Sequence, residues 1–157
     1  MRKVCVVMGS EKDLPVMSGA AEMLQRFEVP HDVSVVSAHK TLDRALALAT
    51  DARSDGVGVI IAGAGKAAHL AGVLAARTTL PVIGVPLSAS LDGMDALLST
   101  VQMPTGIPVA TVAIDGAANA ALLAVTILAV EHEDLATRLG EYRVKLATET
   151  YRELPGG

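Results

Sequence analysis

Val33-Ser34-Val35-Val36-Ser37-Ala38-His39-Lys40 is the stretch that decides how this chain folds. An apolar run halts at a serine, an alanine, a histidine and a cation, and Thr41-Leu42-Asp43-Arg44 then opens a helical pattern. A strand that leaves polar side chains on a short loop ahead of a helix is one unit of a parallel α/β sheet. Similar units recur along the chain. The continuous apolar run 3–8 ends at Gly9-Ser10, as expected for a strand covered on both faces. The run 57–62 ends at Gly63-Ala64-Gly65-Lys66, 82–85 ends at Pro86, and 109–114 precedes Asp115-Gly116.

Between these strands the pattern predicts helices over 14–27, with Pro15 in the first turn, over 42–53, with Thr41 as N-cap, and over 67–77. A short helix is expected over 94–101, and the two prolines and glycine of 103–108 exclude regular pairing there. Residues 117–130 are apolar nearly all round, which predicts a buried helix. A last helix over about 134–154 carries Leu135, Leu139, Tyr142 and Leu146 on one stripe, the pattern of an arm docking on the body or on a neighbouring subunit, and 155–157 form a tail. Five strands alternating with helices predict a doubly wound parallel sheet of flavodoxin-like order 2-1-3-4-5 with a C-terminal helical arm. In such sheets ligands bind outside the carboxyl ends of the strands, near the switch between strands one and three. That rule gathers Gly9-Ser10, Ser37-Ala38-His39-Lys40 and the loop 63–69 at one crevice.

The 157 residues are expected to form a single α/β domain, with 1–131 supplying sheet and helices and 132–157 the last helix and tail. A net charge of −4 and no basic run argue against a nucleic-acid surface. No signal-peptide pattern opens the chain, and the longest apolar run falls short of the about 20 residues that span a bilayer. The single cysteine, Cys5, sits in the first apolar run, excluding an internal disulfide and suiting a reducing, cytoplasmic compartment. Hydrophobic residues make up 51% of the chain but aromatics only 2%, more small apolar surface than one core needs, which favours a homo-oligomer.

The candidate chemistry sits at the strand ends. Gly9-Ser10 with Asp13 suits a phosphate or a sugar, or is a turn in which Asp13 caps the helix. Gly63-Ala64-Gly65-Lys66-Ala67-Ala68 has the loose form of a dinucleotide fingerprint, but it is not the first strand–helix turn and lacks the later acid. It reads instead as a close backbone approach to a ligand. Of four histidines, His31 and His132 are expected in solvent, whereas His39 and His69 fall at strand–helix junctions on the ligand edge. Two imidazoles converging on one crevice suit proton transfer near neutral pH. No third ligand has suitable spacing for a metal, and Cys5 is too deep to serve as a nucleophile.

These residues together resemble the N5-carboxyaminoimidazole ribonucleotide mutases of purine biosynthesis (the class I PurE family) and the related aminoimidazole ribonucleotide carboxylases. Met8-Gly9-Ser10 with Asp13, Val36-Ser37-Ala38-His39-Lys40-Thr41, and Ala62-Gly63-Ala64-Gly65 with Ala67-Ala68-His69-Leu70 look like the family's three site loops. Val101-Gln102-Met103-Pro104, Gly106-Ile107-Pro108-Val109-Ala110 and Asn119-Ala120-Ala121-Leu122-Leu123-Ala124 resemble its later segments. The resemblance implies a homo-octamer, an imidazole ribonucleotide substrate, and a reaction without metal, ATP or organic cofactor. It further implies that His39 shuttles the proton, that Ser10, Ser37 and Lys40 hold phosphate, and that Asp13 holds the ribose. His69 and the backbone of Ala64, Gly65 and Ala67 would then line the base and carboxylate pocket. The chain departs from the usual pattern at Lys12 (commonly serine), Lys40 (more often arginine), Leu42 and Ala71 (commonly proline) and Lys66 (commonly glycine). Lys40 also suits the carboxylase branch, whereas His69 within Ala-Ala-His-Leu resembles the mutase branch. A non-catalytic nucleotide-binding module on the same fold is the alternative from another class.

Overall fold

The structure is a computed structural model and describes residues 1–152. Five parallel strands, β1 (Lys3–Met8), β2 (His31–Val35), β3 (Val57–Gly65), β4 (Val82–Leu87) and β5 (Ala110–Thr111), lie in the order β2-β1-β3-β4-β5. The flavodoxin-like topology expected from the alternation of runs is the one observed. Helices α1 (Leu14–Arg26), α2 (Leu42–Asp51), α3 (Leu70–Ala75), α4 (Met94–Val101), α5 (Ala117–Ala129) and α6 (Glu133–Thr150) complete the chain.

Period-two alternation along the central strands divides the core in two. Val4, Val6 and Met8 of β1 and Val59 and Ile61 of β3 face a cluster built with α1, α5 and the start of α6. Cys5 and Val7 of β1 and Ile60 and Ala62 of β3 face the opposite cluster, closed by alanines of α2 and by Leu70 and Leu74 of α3. Small residues let α5 lie close to the sheet: Ala117, Ala120, Ala121 and Ala124 are all buried. Leu135 and Leu139 seat α6 on this layer. Tyr142 meets the Phe27 ring edge-on, with centroids 5.4 Å apart, and lies under the Arg26 guanidinium. Leu146, on the same stripe, stays exposed.

Several boundaries differ from the pattern-based expectation, each for a physical reason. Strand β3 runs three residues further, to Gly65, because β4 continues beside it to Leu87, pairing Ala64 with Pro86. Pro86 is tolerated because its carbonyl, and hence the side on which it lacks an N–H, faces the β5 side, where only the Asp115 N–H approaches. Strand β5 shrinks from the expected 109–114 to two residues; beyond it, Val112 and Asp115 still donate to the carbonyls of Gly84 and Pro86, outside a regular ladder. Helix α3 begins at Leu70 rather than Ala67, since Lys66 adopts a left-handed φ of 56° and residues 66–69 form successive tight turns. Helices α1, α2 and α5 each stop one or two residues early, and α6 ends at Thr150 rather than near 154. The expected tail at 155–157 lies outside the described residues.

Candidate active site

The carboxyl ends of β1, β2, β3 and β4 surround a cleft of about 560 Å³. Every candidate residue named above lines it: Ser10 and Asp13 after β1, Ser37, His39 and Lys40 after β2, and Ala64, Gly65, Ala67 and His69 around the end of β3. A larger groove, about 760 Å³, lies along β2 and α2 between Ser34 and Asp55. It contains no histidine and lies away from the switch between β1 and β3, so the smaller cleft is the chemically equipped one.

The loop bearing His39 is stitched by its own side chains. Thr41 does not cap α2. Its Oγ1 instead accepts from the Ser37 N–H (2.9 Å) and donates to the Ser37 carbonyl (3.2 Å). Ser37 Oγ in turn accepts from the N–H groups of His39 (3.3 Å) and Lys40 (3.2 Å). Ser10 does the same on the first loop, accepting from the Lys12 N–H. Each serine hydroxyl thus orders a turn with its lone pairs while retaining its own proton for a ligand. Asp13 stands at the N-cap position of α1 without a side-chain capping bond. Burial holds its carboxyl above the usual range, against the opposing effect of the hydrogen bond with the Ser10 backbone.

His39 and His69 meet across the cleft. His39 Nε2 lies 2.7 Å from His69 Nδ1, and the rings stand edge to face at 83° with centroids 4.9 Å apart. Residue 69 reaches this position because the turns after Lys66 carry it to the N-terminus of α3. The expectation on the remaining two histidines needs correction. His31 and His132 are both half-buried rather than free in solvent, and His31 Nδ1 lies 2.9 Å from the Val29 carbonyl. The missing Cβ atoms of Gly63 and Gly65 leave room for Met17 and Ala89 of the protein itself. Ala89, from the loop after β4, also lines the cleft, and no motif marks it; only the adjacency of the β3 and β4 ends could have pointed to it.

Among the described residues the charge around the cleft is one-sided, with Lys12, Lys40 and Lys66 set against the single acid Asp13. That balance suits a ligand bearing phosphate and carboxylate. Among the described residues no three His, Cys, Asp or Glu side chains converge as a metal would require. Cys5 stays away from the cleft, buried in β1, and its thiol is pushed up to about 11 by burial.

Several known proteins are similar to this chain. A chain from Pyrococcus abyssi named N5-carboxyaminoimidazole ribonucleotide mutase is 57% identical over 144 residues, covering 91% of this chain and 83% of its own. A Vigna aconitifolia protein named phosphoribosylaminoimidazole carboxylase, chloroplastic, is 53% identical over 148 residues, covering 94% of this chain and 27% of its own. The crystal structure of Treponema denticola PurE superposes with a TM-score of 0.85 at 28% identity, covering 93% of this chain and 92% of that one. The family described as AIR carboxylase matches residues 3–149, nearly the whole chain, and this chain belongs to it.

Proposed function

We propose that this chain is an enzyme of purine biosynthesis that isomerises N5-carboxyaminoimidazole ribonucleotide to 4-carboxy-5-aminoimidazole ribonucleotide. The observation that carries the reading is a histidine pair set in a cleft rimmed by two serine hydroxyls and three lysines. The high identity to a protein named as the mutase supports it. Ser10, Ser37 and Lys40 hold the phosphate, the serines through the protons their turns leave free. Asp13 binds the ribose, and His69 with Ala64, Gly65 and Ala67 lines the pocket for base and carboxylate.

Protonated His39 gives its proton to the exocyclic nitrogen, and the carbon–nitrogen bond to the carboxylate breaks. Carbon dioxide is released within the cleft, and the ring carbon attacks it. Neutral His39 then removes the proton from that carbon. The group begins and ends in the same state, which suits an imidazole near neutral pH. Neither metal, ATP nor organic cofactor takes part. The chain acts as one domain in the cytoplasm and assembles as a homo-oligomer, an octamer by resemblance to the family. Exposed Val33, Val35, Leu42, Met94 and Leu98 are the apolar surface such an assembly would cover.

Substrate carrying ¹³C in the nitrogen-bound carboxylate tests the reaction, since the label should move to the ring carbon without ATP. A second reading follows from the carboxylase-named relative. Conversion only of aminoimidazole ribonucleotide with bicarbonate would establish that reading instead, and conversion of neither would leave a nucleotide-binding module.

A further inference from the structure

We propose that Lys66 selects for the migrating carboxylate, pairing its ammonium with that group in both substrate and product; this deepens the mutase reading above and rests on it. The sheet order divides the cleft into two sides. Strands β2 and β1 are neighbours, and their ends bring Ser37 with Lys40 and Ser10 with Lys12 to one side. The end of β3 forms the other side, where Ala64, Gly65 and Ala67 carry no polar side chain. Among the described residues, Lys66 is the one lysine or arginine lining that side. A nucleotide held by its phosphate among the serines turns its base, and the carboxylate on it, towards Lys66. Two observations set this lysine apart from an ordinary surface cation. Its backbone is left-handed, with φ 56°, a conformation that glycine adopts without penalty and lysine holds under strain. Among the described residues its ammonium also has no carboxylate within ion-pair distance, whereas Lys3 and Lys145 are paired with Asp32 and Glu149.

The pairing matters because the charge it addresses disappears and returns during the reaction. As the carbon–nitrogen bond breaks, its electron pair stays on the nitrogen, which takes the His39 proton, and the carboxylate becomes neutral carbon dioxide. Attack by the ring carbon forms the new carbon–carbon bond, restores the carboxylate and sends the ring proton to His39. Lys66 therefore stabilises the carboxylated nucleotides at both ends of the reaction and gains nothing from aminoimidazole ribonucleotide beside carbon dioxide. A cation so placed favours recapture of carbon dioxide over its escape.

Calorimetric binding of 4-carboxy-5-aminoimidazole ribonucleotide and of aminoimidazole ribonucleotide to the full chain, at one fixed ionic strength, tests this. The wild type should prefer the carboxylated ligand. Lys66→Met keeps the aliphatic stem and removes the charge; it should bind the carboxylated ligand about tenfold more weakly and aminoimidazole ribonucleotide as before. Lys66→Arg should recover most of the loss. In turnover, Lys66→Met should release a larger share of the nucleotide as aminoimidazole ribonucleotide. Equal weakening of both ligands in Lys66→Met, the result of a role in folding or at the phosphate, would overturn the proposal, as would unchanged binding of both. A wild type that binds neither ligand would overturn the mutase reading and the proposal with it.

Discussion

Gly65 and Ala89 meet where the ends of β3 and β4 close the cleft: a Cβ placed on residue 65 would lie 2.6 Å from the Ala89 Cβ. That separation is far inside van der Waals contact, and the Leu87 carbonyl, 3.3 Å away, bars retreat in that direction. Gly65→Ala is therefore expected to lose about 1–3 kcal/mol of stability by overpacking and to weaken substrate binding by displacing the 88–89 loop. Ala89→Gly in the same chain removes the atom that is struck and should restore part of both losses. A double-mutant cycle by denaturant unfolding reads the coupling; simple additivity would show that the two positions do not compete for space.

Lys66 pays for its left-handed backbone with strain that a glycine would not carry. Lys66→Gly should gain about 0.5–1 kcal/mol after the greater flexibility of unfolded glycine is set against the relief of φ. The check is a higher urea midpoint at unchanged m-value. A lower midpoint would mean that the lysine side chain contributes more stability than its backbone costs.

Leu135 and Leu146 lie on one stripe of α6 but in different surroundings, the first fully buried and the second half-exposed. Leu135→Ala should cost about 2–5 kcal/mol, the range for truncating a buried leucine. Leu146→Ala should leave the subunit nearly unchanged and reduce the mass of the assembly in sedimentation, if the arm reaches a neighbour as proposed. Intact assembly in Leu146→Ala would remove this residue from the interface.

Cys5 gives a pH dependence of known sign. Burial raises its folded value to about 11 from the ordinary 9.0, so the unfolded chain loses this proton first. The neutral folded thiol costs nothing below pH 9; as pH rises from 9 towards 11, ionisation favours the unfolded state. Stability should fall by on the order of 2 kcal/mol over that window. Cys5→Ala should be less stable throughout because of its cavity, yet lack this component of the slope, as urea unfolding at stepped pH would show. Parallel slopes in the two proteins would refute the assignment.

The sheet order was legible because β1 and β3 are unbroken apolar runs and each run stops at a polar or glycine-rich junction. The same rule brought residues from three stretches to one cleft, since strand polarity in a parallel sheet fixes which ends meet. Strand and helix lengths were less legible. Whether β3 stops at Ala62 or Gly65 depends on its partner β4, and whether α3 starts at Ala67 or Leu70 depends on the φ of Lys66. Thr41 reads as a cap by residue type, and only the folded loop reveals that its hydroxyl is taken by Ser37. The histidine contact was invisible for the same reason: two rings can share a crevice without touching.

The bonds that shape the Ser37–Thr41 loop begin and end within it, through Ser37 Oγ and Thr41 Oγ1. Its geometry is written in five consecutive residues and asks little of the sheet that carries it. Such a loop is portable: the cation at position 40 can be exchanged, or the whole segment moved to another strand end, while the spacing of hydroxyl, imidazole and ammonium travels with it. That independence lets the side chain at position 40 vary without renegotiating the core.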